Sequence, residues 1–304
     1  MKSLCEYIRH PRYIGLALLT NSKLSSRLPD KLFLSLRYYF DTGHRLHLSD
    51  PKLFGEKIQW LKLYNRKAEY SLMVDKVEAK KYVSDIVGEQ YIIPNIAVWN
   101  TPDQIDFDKL PDKFVLKTTH GGGSAGVIIC KDKSKLNIDE VKEKLSFALK
   151  LCLYKSQREW PYKNVPKRIL AEKFMEDDQN DDLLDYKFFC FNGEPKLCQV
   201  IGNRRTNETI DFYDMDWNHI PGLVGLNPNV SNSPIVHNKP QTFETMKEIA
   251  CKLSSSIPFA RIDLYEINGN CFFGEITFYP NGGLGRFYPQ KWNEIIGSWI
   301  DLNR

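Results

Sequence analysis

The residues best suited to chemistry lie late in the chain, in ARIDLYEINGNCFFGEITFYPNGG, residues 260–283. Two β-like runs joined by Asn268-Gly269 carry Asp263 on one side and Glu275 on the other. An Asn-Gly hairpin brings such carboxylates near one another across the ladder. Like charges so placed repel unless a cation bridges them, and hard oxygen donors with room for waters and phosphates suit Mg²⁺. Arg261, two residues from Asp263, shares its face and could neutralise a phosphate beside the metal. Two plain surface carboxylates are the bland alternative, weakened because both runs are otherwise apolar.

Three further stretches bear charge in patterns that fit a phosphorylated ligand. In FVLKTTHGGGSAGV, residues 114–127, a strand delivers Lys117 into a run of Gly121, Gly122, Gly123, Ser124 and Gly126. Glycines let backbone N–H groups approach an anion, and the nearby ammonium adds charge. The lysine precedes the glycines and no helix follows directly, which excludes the GxxxxGK[ST] loop; the missing helix also excludes the dinucleotide fingerprint. A glycine hairpin with an exposed lysine is the competing reading. In RILAEKFMEDD, residues 168–178, a strand runs into Glu172, Lys173, Phe174 and Met175, which could offer backbone groups and apolar side chains to a planar base. In DYKFFCFNGEPKL, residues 185–197, Asp185 and Lys187 fall on one strand face. Arg204 and Arg205 stand in a following loop, and with Asn281 and Arg286 they are candidates for contacts to an acidic substrate.

These motifs need a scaffold of strands. Beyond Pro111-Asp112 the chain is a series of short β-like runs with turn signals at Gly121–Gly123, Asn192-Gly193, Asn268-Gly269 and Asn281–Gly283. Helical patterns interrupt them at about 138–154 and 242–255. Upstream, Phe54, Ile58, Leu61, Leu72 and Val77 take helical spacing, Ser49-Asp50-Pro51 reads as a helix start, and Gly88 as a helix end. The expected fold class is α+β, with a mainly helical start. The expected divisions are an N-terminal helical extension (1–50), a helical or mixed region packed on the core (51–112), a subdomain with the glycine loop (113–175) and a subdomain with the metal site (176–304).

Composition narrows the classes. The 304 residues include 42% hydrophobic and 26% charged residues, ordinary for a folded protein. A net charge of +4, from 42 basic and 38 acidic residues, is no argument for nucleic acid. The seven cysteines are scattered without a CxxC pair, so buried thiols in a reducing, cytoplasmic compartment are expected. No apolar stretch approaches the roughly 20 residues of a membrane span, and a signal peptide is not indicated. The basic, apolar start remains compatible with a peripheral contact to the inner face of a membrane.

In combination, FGEKIQWLKLYNR, DKVEAKKYV, LPDKFVLKTTHGGG, ILAEKFMEDD, DYKFFCFNGEPK, DFYDMDWN, FARIDLYEINGNCFFGEITF and YPNGG resemble the TupA-like ATP-grasp proteins of bacterial surface polysaccharide and teichuronopeptide biosynthesis. The resemblance spans roughly residues 50–290. It implies the ATP-grasp fold, with ATP and Mg²⁺ as cofactors. By it, Lys117 would hold ATP phosphates and the His120–Gly126 loop would close over them. Glu172 with Lys173, Phe174 and Met175 would form the hinge that reads adenine, and Asp185 would lie near the ribose. Lys187 would reach the γ-phosphate or an acyl phosphate, and Arg261 would contact phosphate. Asp263 and Glu275 would bind Mg²⁺. Thr277 stands where many such ligases place an asparagine, and Asn281 is the candidate replacement. The implied reaction joins a carboxylate, such as that of a uronic acid, to an amine through an acyl phosphate, releasing ADP and phosphate. A sugar kinase on the same fold, a glycosyltransferase and a non-catalytic assembly protein are the alternatives.

Overall fold

Alternating apolar runs from Asn95 onward assemble into two larger antiparallel sheets, each covered by a helix, beside a two-stranded ribbon. The computed structural model describes residues 12–21, 23–178, 183–204, 206–227 and 229–303. The helices are α1 (Arg12–Asn21), α2 (Asp30–Thr42), α3 (Phe54–Tyr64), α4 (Tyr70–Val74), α5 (Glu78–Val87), α6 (Ile138–Lys150), α7 (Leu153–Gln157), α8 (Phe243–Ser254) and α9 (Lys291–Ser298). The strands are β1 (Asn95–Trp99), β2 (Phe114–Thr118), β3 (Val127–Cys130), β4 (Ile169–Lys173), β5 (Asp185–Phe191), β6 (Glu194–Gly202), β7 (Thr209–Tyr213), β8 (Val224–Gly225), β9 (Phe259–Ile267), β10 (Asn270–Thr277) and β11 (Phe287–Tyr288).

The smaller sheet has four strands in the order β1-β4-β2-β3. Its inner face carries Phe114, Leu116, Ile128, Cys130, Ile169 and Ala171, packed with Val141 and Leu145 of α6. Ile105, Phe107 and Leu110 join this cluster, so residues 95–110 lie with the small sheet. The larger sheet has five strands in the order β10-β9-β5-β6-β7. All seven residues of its central strand β5 are buried, because both faces are covered. Phe188 points to α8, 5.8 Å from the ring of Phe243, while Phe189 lies 6.0 Å from the rings of Phe259 and Phe287 on the other side. Phe54 of α3 closes that second layer, 5.1 Å from Phe259 and 5.4 Å from Phe287. On α8 the buried stripe Phe243, Met246, Ile249, Ala250 and Leu253 follows the helical period.

Two details depart from the sequence reading. Helix α3 begins at Phe54, three residues beyond Pro51, because the Glu56 carboxylate accepts hydrogen bonds from the backbone N–H groups of Lys52 and Leu53 at 3.0 and 3.1 Å. Leu72 is exposed, and the neighbouring Met73 and Val74 fill the core instead. Gly88 does end α5, at φ 113°. A third apolar cluster of Leu19, Phe33, Leu34, Tyr38 and Leu46 ties α1 and α2 together, with Leu63 and Leu284 against it. Among the described residues no helix is long and apolar enough to cross a membrane.

Candidate functional site

The charged groups of the large sheet stand in one row across three strands. Lys187 of β5 pairs in register with Asp263 of β9, which pairs with Glu275 of β10. The next row holds Phe189, Arg261 and Thr277. Counting outward from the Asn268-Gly269 turn, Phe273 faces Leu264, so an unbroken ladder would set Gly274 against Asp263 and turn Glu275 to the opposite face. A bulge between Phe273 and Glu275 absorbs one residue and brings Glu275 opposite Asp263. Glycine leaves that bulge room: a Cβ on Gly274 would lie 2.9 Å from the Tyr265 ring and 3.0 Å from the Asp263 carbonyl oxygen, so its neighbours would have to shift.

The two carboxylates are bridged by a guanidinium. Arg261 donates to Asp263 through Nε at 2.6 Å and Nη2 at 2.7 Å, and its Nη2 also reaches Glu275 Oε1 at 3.2 Å and Thr277 Oγ1 at 3.1 Å. The Lys187 ammonium is bonded to Asp263 Oδ2, the oxygen that also accepts from Arg261 Nη2, and lies 3.8 Å from Asp185 Oδ1. Thr277 donates its hydroxyl to Glu275 Oε1 at 3.1 Å, so the residue at the position of the usual asparagine orients the carboxylate. Burial would raise the pKa of Glu275, but Lys76, Arg261 and Lys187 outweigh it and hold the carboxyl at about 2.

This donor set fits Mg²⁺. Asp263 and Glu275 are hard oxygen donors, and the Glu275 side chain keeps 40% of its surface exposed, leaving its outer oxygen open. Among the described residues no group of three or more His, Cys, Asp and Glu could hold a metal alone. The remaining ligands would be phosphate oxygens and water, as is usual for this ion.

Lysines also converge on the small sheet. Glu172 on β4 is buried between two ammonium groups, Lys117 Nζ at 2.5 Å and Lys80 Nζ at 2.7 Å. Burial pushes its pKa up, but Lys117 and Lys80 pull harder and the carboxyl stays below its ordinary value. Lys80 also donates to the Ile93 carbonyl at 2.7 Å and to Asn95 Oδ1 at 2.6 Å. Register places Val115, Lys117, Val127 and Ile129 on the face away from α6, with Leu170 and Glu172 of β4 beside them. The glycine loop closes at its base through Thr118 N–H to the Gly126 carbonyl at 3.0 Å, with Gly123 at φ 67° and Ser124 exposed at its tip. Lys76 spans the two sheets: its Nζ donates to the Gly121 carbonyl at 2.6 Å and lies 4.0 Å from Glu275 Oε2. His120 is buried at the loop's start, its pKa lowered by burial and by Lys167 and Lys76 despite a backbone contact to Leu151.

The structure thus brings together Lys187, Arg261, Asp263 and Glu275, with Asp185 beside them, and separately Lys117 with Glu172. The Glu172 side chain is occupied by lysines, and its strand is paired on both sides, by β1 and β2. Lys173 is exposed, with its N–H bonded to the Pro94 carbonyl at 3.0 Å, and the Phe174 ring lies 5.9 Å from Lys131 Nζ. Met175 follows the strand end, half-buried. Arg204 pairs with the buried Asp185, which also carries a hydrogen bond from Tyr265. Arg205 lies outside the described residues. Asn281 turns its amide to the Leu226 carbonyl at 3.0 Å, and Arg286 donates to the Thr42 carbonyl at the end of α2; as placed, neither joins the carboxylate cluster. Sequence reading assigned no role to Lys76 and Lys80. The signal was there: two lysines one helical turn apart behind Asp75, which accepts from Arg168 at 2.8 Å.

The chain is similar to the D-alanine–D-alanine ligase of Bacillus anthracis solved with ATP, at 18% identity and a TM-score of 0.39 over 68% of this chain and 54% of that one. It is similar to the Helicobacter pylori enzyme of the same name, at 16% identity and a TM-score of 0.43 over 81% and 69%. The phosphoribosylamine–glycine ligase of Thermotoga maritima shares 17% identity at a TM-score of 0.37 over 68% and 48%. The chain spans about half to two thirds of the length of these structures. Among curated proteins no sequence matches it. The sequence model of the TupA-like ATPgrasp family matches residues 56–301, most of the chain. The chain therefore belongs to the TupA-like ATP-grasp family and has the ATP-grasp fold.

Proposed function

We propose that the protein is an ATP-dependent carboxylate–amine ligase of bacterial surface polysaccharide biosynthesis, joining an amine or amino acid to a sugar carboxylate such as a uronic acid. One observation carries the reading: a carboxylate pair, Asp263 and Glu275, lies in register with Lys187 and under Arg261. The polysaccharide setting rests on the family resemblance and on no contact in the site.

On this reading the apolar face around Lys117 takes the adenine and the lysine holds phosphate. Lys76, tied to the glycine loop, neutralises the transferred group as the loop covers it and excludes water. Asp263 and Glu275 would hold Mg²⁺, which supplies charge stabilisation to the phosphates when bound. Arg261 and Lys187 release part of their hold on the carboxylates to meet the phosphoryl oxygens as the acceptor carboxylate attacks the γ-phosphorus. The acyl phosphate is then attacked by the amine, which loses a proton as the amide forms and phosphate leaves. Arg204, beside Asp185, offers a cation for an acidic acceptor.

The test is ADP release from ATP and Mg²⁺ with uronic acids and amines as acceptors, with hydroxylamine added to trap an acyl phosphate as its hydroxamate. Hydroxamate formed in step with ADP supports the ligase. A stable phosphorylated sugar without hydroxamate would make the protein a kinase, and turnover of a nucleotide sugar would make it a glycosyltransferase.

A further inference from the structure

The charge of this chain sits at one end. Residues 1–50 hold eight Lys and Arg against four Asp and Glu, a balance of +4, which is the net charge of the whole chain; residues 51–304 hold 34 of each sign. Among the described residues the fold pairs the three acidic groups of this segment. Asp30 accepts from Arg66 at 2.7 Å and Arg158 at 2.9 Å, Asp41 is taken by Arg37, and Asp50 pairs with Lys52 at 2.7 Å. Arg27, Lys31 and Arg45 are left exposed, with no carboxylate partner among the described residues.

The same segment exposes large apolar side chains. On α1, Ile14 and Leu18 are 50% and 67% exposed and lie one turn apart; on α2, Leu32 and Tyr39 are 46% and 50% exposed and lie two turns apart. Each helix buries a second stripe, Leu19 on α1 and Phe33, Leu34 and Tyr38 on α2, so the exposed residues are an additional face and not a failed core. Apolar side chains beside unpaired cations are the pattern of a surface that lies in the interface of an anionic bilayer: the apolar groups enter the headgroup region and the cations meet lipid phosphates. An acidic protein surface would meet the cations but leave no use for Leu18.

We propose that the α1–α2 hairpin is a docking surface for anionic lipid. It is held to the body by Leu63 and Leu284 and by Arg286, which bonds the Thr42 carbonyl, so docking would fix the orientation of the site on the bilayer.

Co-sedimentation of the full chain with phosphatidylcholine vesicles, with and without phosphatidylglycerol, tests this. Binding is expected only with phosphatidylglycerol and is expected to fall with added salt. The combined substitution Arg27→Glu, Lys31→Glu and Arg45→Glu should weaken it about a hundredfold or more, with an unchanged circular dichroism melt. Leu18→Asp should weaken it severalfold, and Lys252→Glu, an exposed lysine on α8, should leave it unchanged. Equal binding to both vesicle types, no binding, or binding indifferent to the triple substitution would overturn the proposal. Self-association abolished by Leu18→Asp, without vesicle binding, would assign the face to a second copy and overturn it as well.

Discussion

The two sheets handle buried charge in opposite ways. In the small sheet one carboxylate, Glu172, is held by two lysines, and one of them, Lys80, comes from a helix distant in sequence. In the large sheet the carboxylates Asp185, Asp263 and Glu275 meet Lys187, Arg261 and Arg204, all on the sheet itself or on the loop after β6. The first arrangement closes on itself and leaves an apolar face with a lysine. The second keeps an exposed, strongly acidic carboxyl at its rim. On the proposed function the small sheet holds the nucleotide and the large sheet carries the reaction, so substitutions on the two should separate binding and stability from turnover.

The largest effect is expected at the rim. Glu275→Gln should lower ADP release on the order of 10³-fold while leaving the thermal melt nearly unchanged, because the side chain is half-exposed. Near-normal turnover would remove Glu275 from the metal site. Lys117→Ala should weaken ATP binding about tenfold to a hundredfold, the range for a hydrogen bond to a charged group, with Lys80 still neutralising Glu172. Unchanged affinity in a titration calorimeter would mean that the lysine serves Glu172 alone. Glu172→Gln should act mainly on stability, since it strips a buried ammonium of its carboxylate: about 3 kcal/mol, seen as a melting point about 5–10 °C lower. A melt identical to wild type would mean that Ile93 and Asn95 satisfy Lys80 without it.

Acid should probe the same contrast. Glu275 has a folded pKa near 2 against an ordinary 4.5, so the unfolded chain binds the proton more readily. Its contribution to stability is present above about pH 5 and is lost as pH falls towards 2. Urea unfolding of Glu275→Gln should therefore show a shallower loss between those limits than wild type. The smallest effect is expected for Thr277→Val, which removes the hydroxyl donated to Glu275 and should raise the Mg²⁺ requirement a few-fold, about the value of one hydrogen bond. A larger loss would make Thr277 a ligand in its own right.

Much of this was legible in the chain. The glycine loop after Lys117, the hairpin that carries Asp263 and Glu275 but not their shared face, and the shared face of Asp185 and Lys187 follow from turn residues and strand alternation. Lys76 and Lys80 were visible as residues but not as partners, since nothing local couples a helix of the first third to Glu172. Arg286 and Asn281 had the right chemistry beside the right motif, yet their side chains turn to the backbone at Thr42 and Leu226.

The sequence by itself determined which strands exist and which carry charge, because period-two alternation and Asn-Gly turns act over a few residues. Only the tertiary structure decided which charges meet. A single bulge at Gly274 moves Glu275 to the face of Asp263, against the count from the turn. The pairing of Lys80 with Glu172 spans the helices α6 and α7 and the strands β1 to β3. Both depend on packing and register between distant segments, where a shift of one residue reverses every side chain.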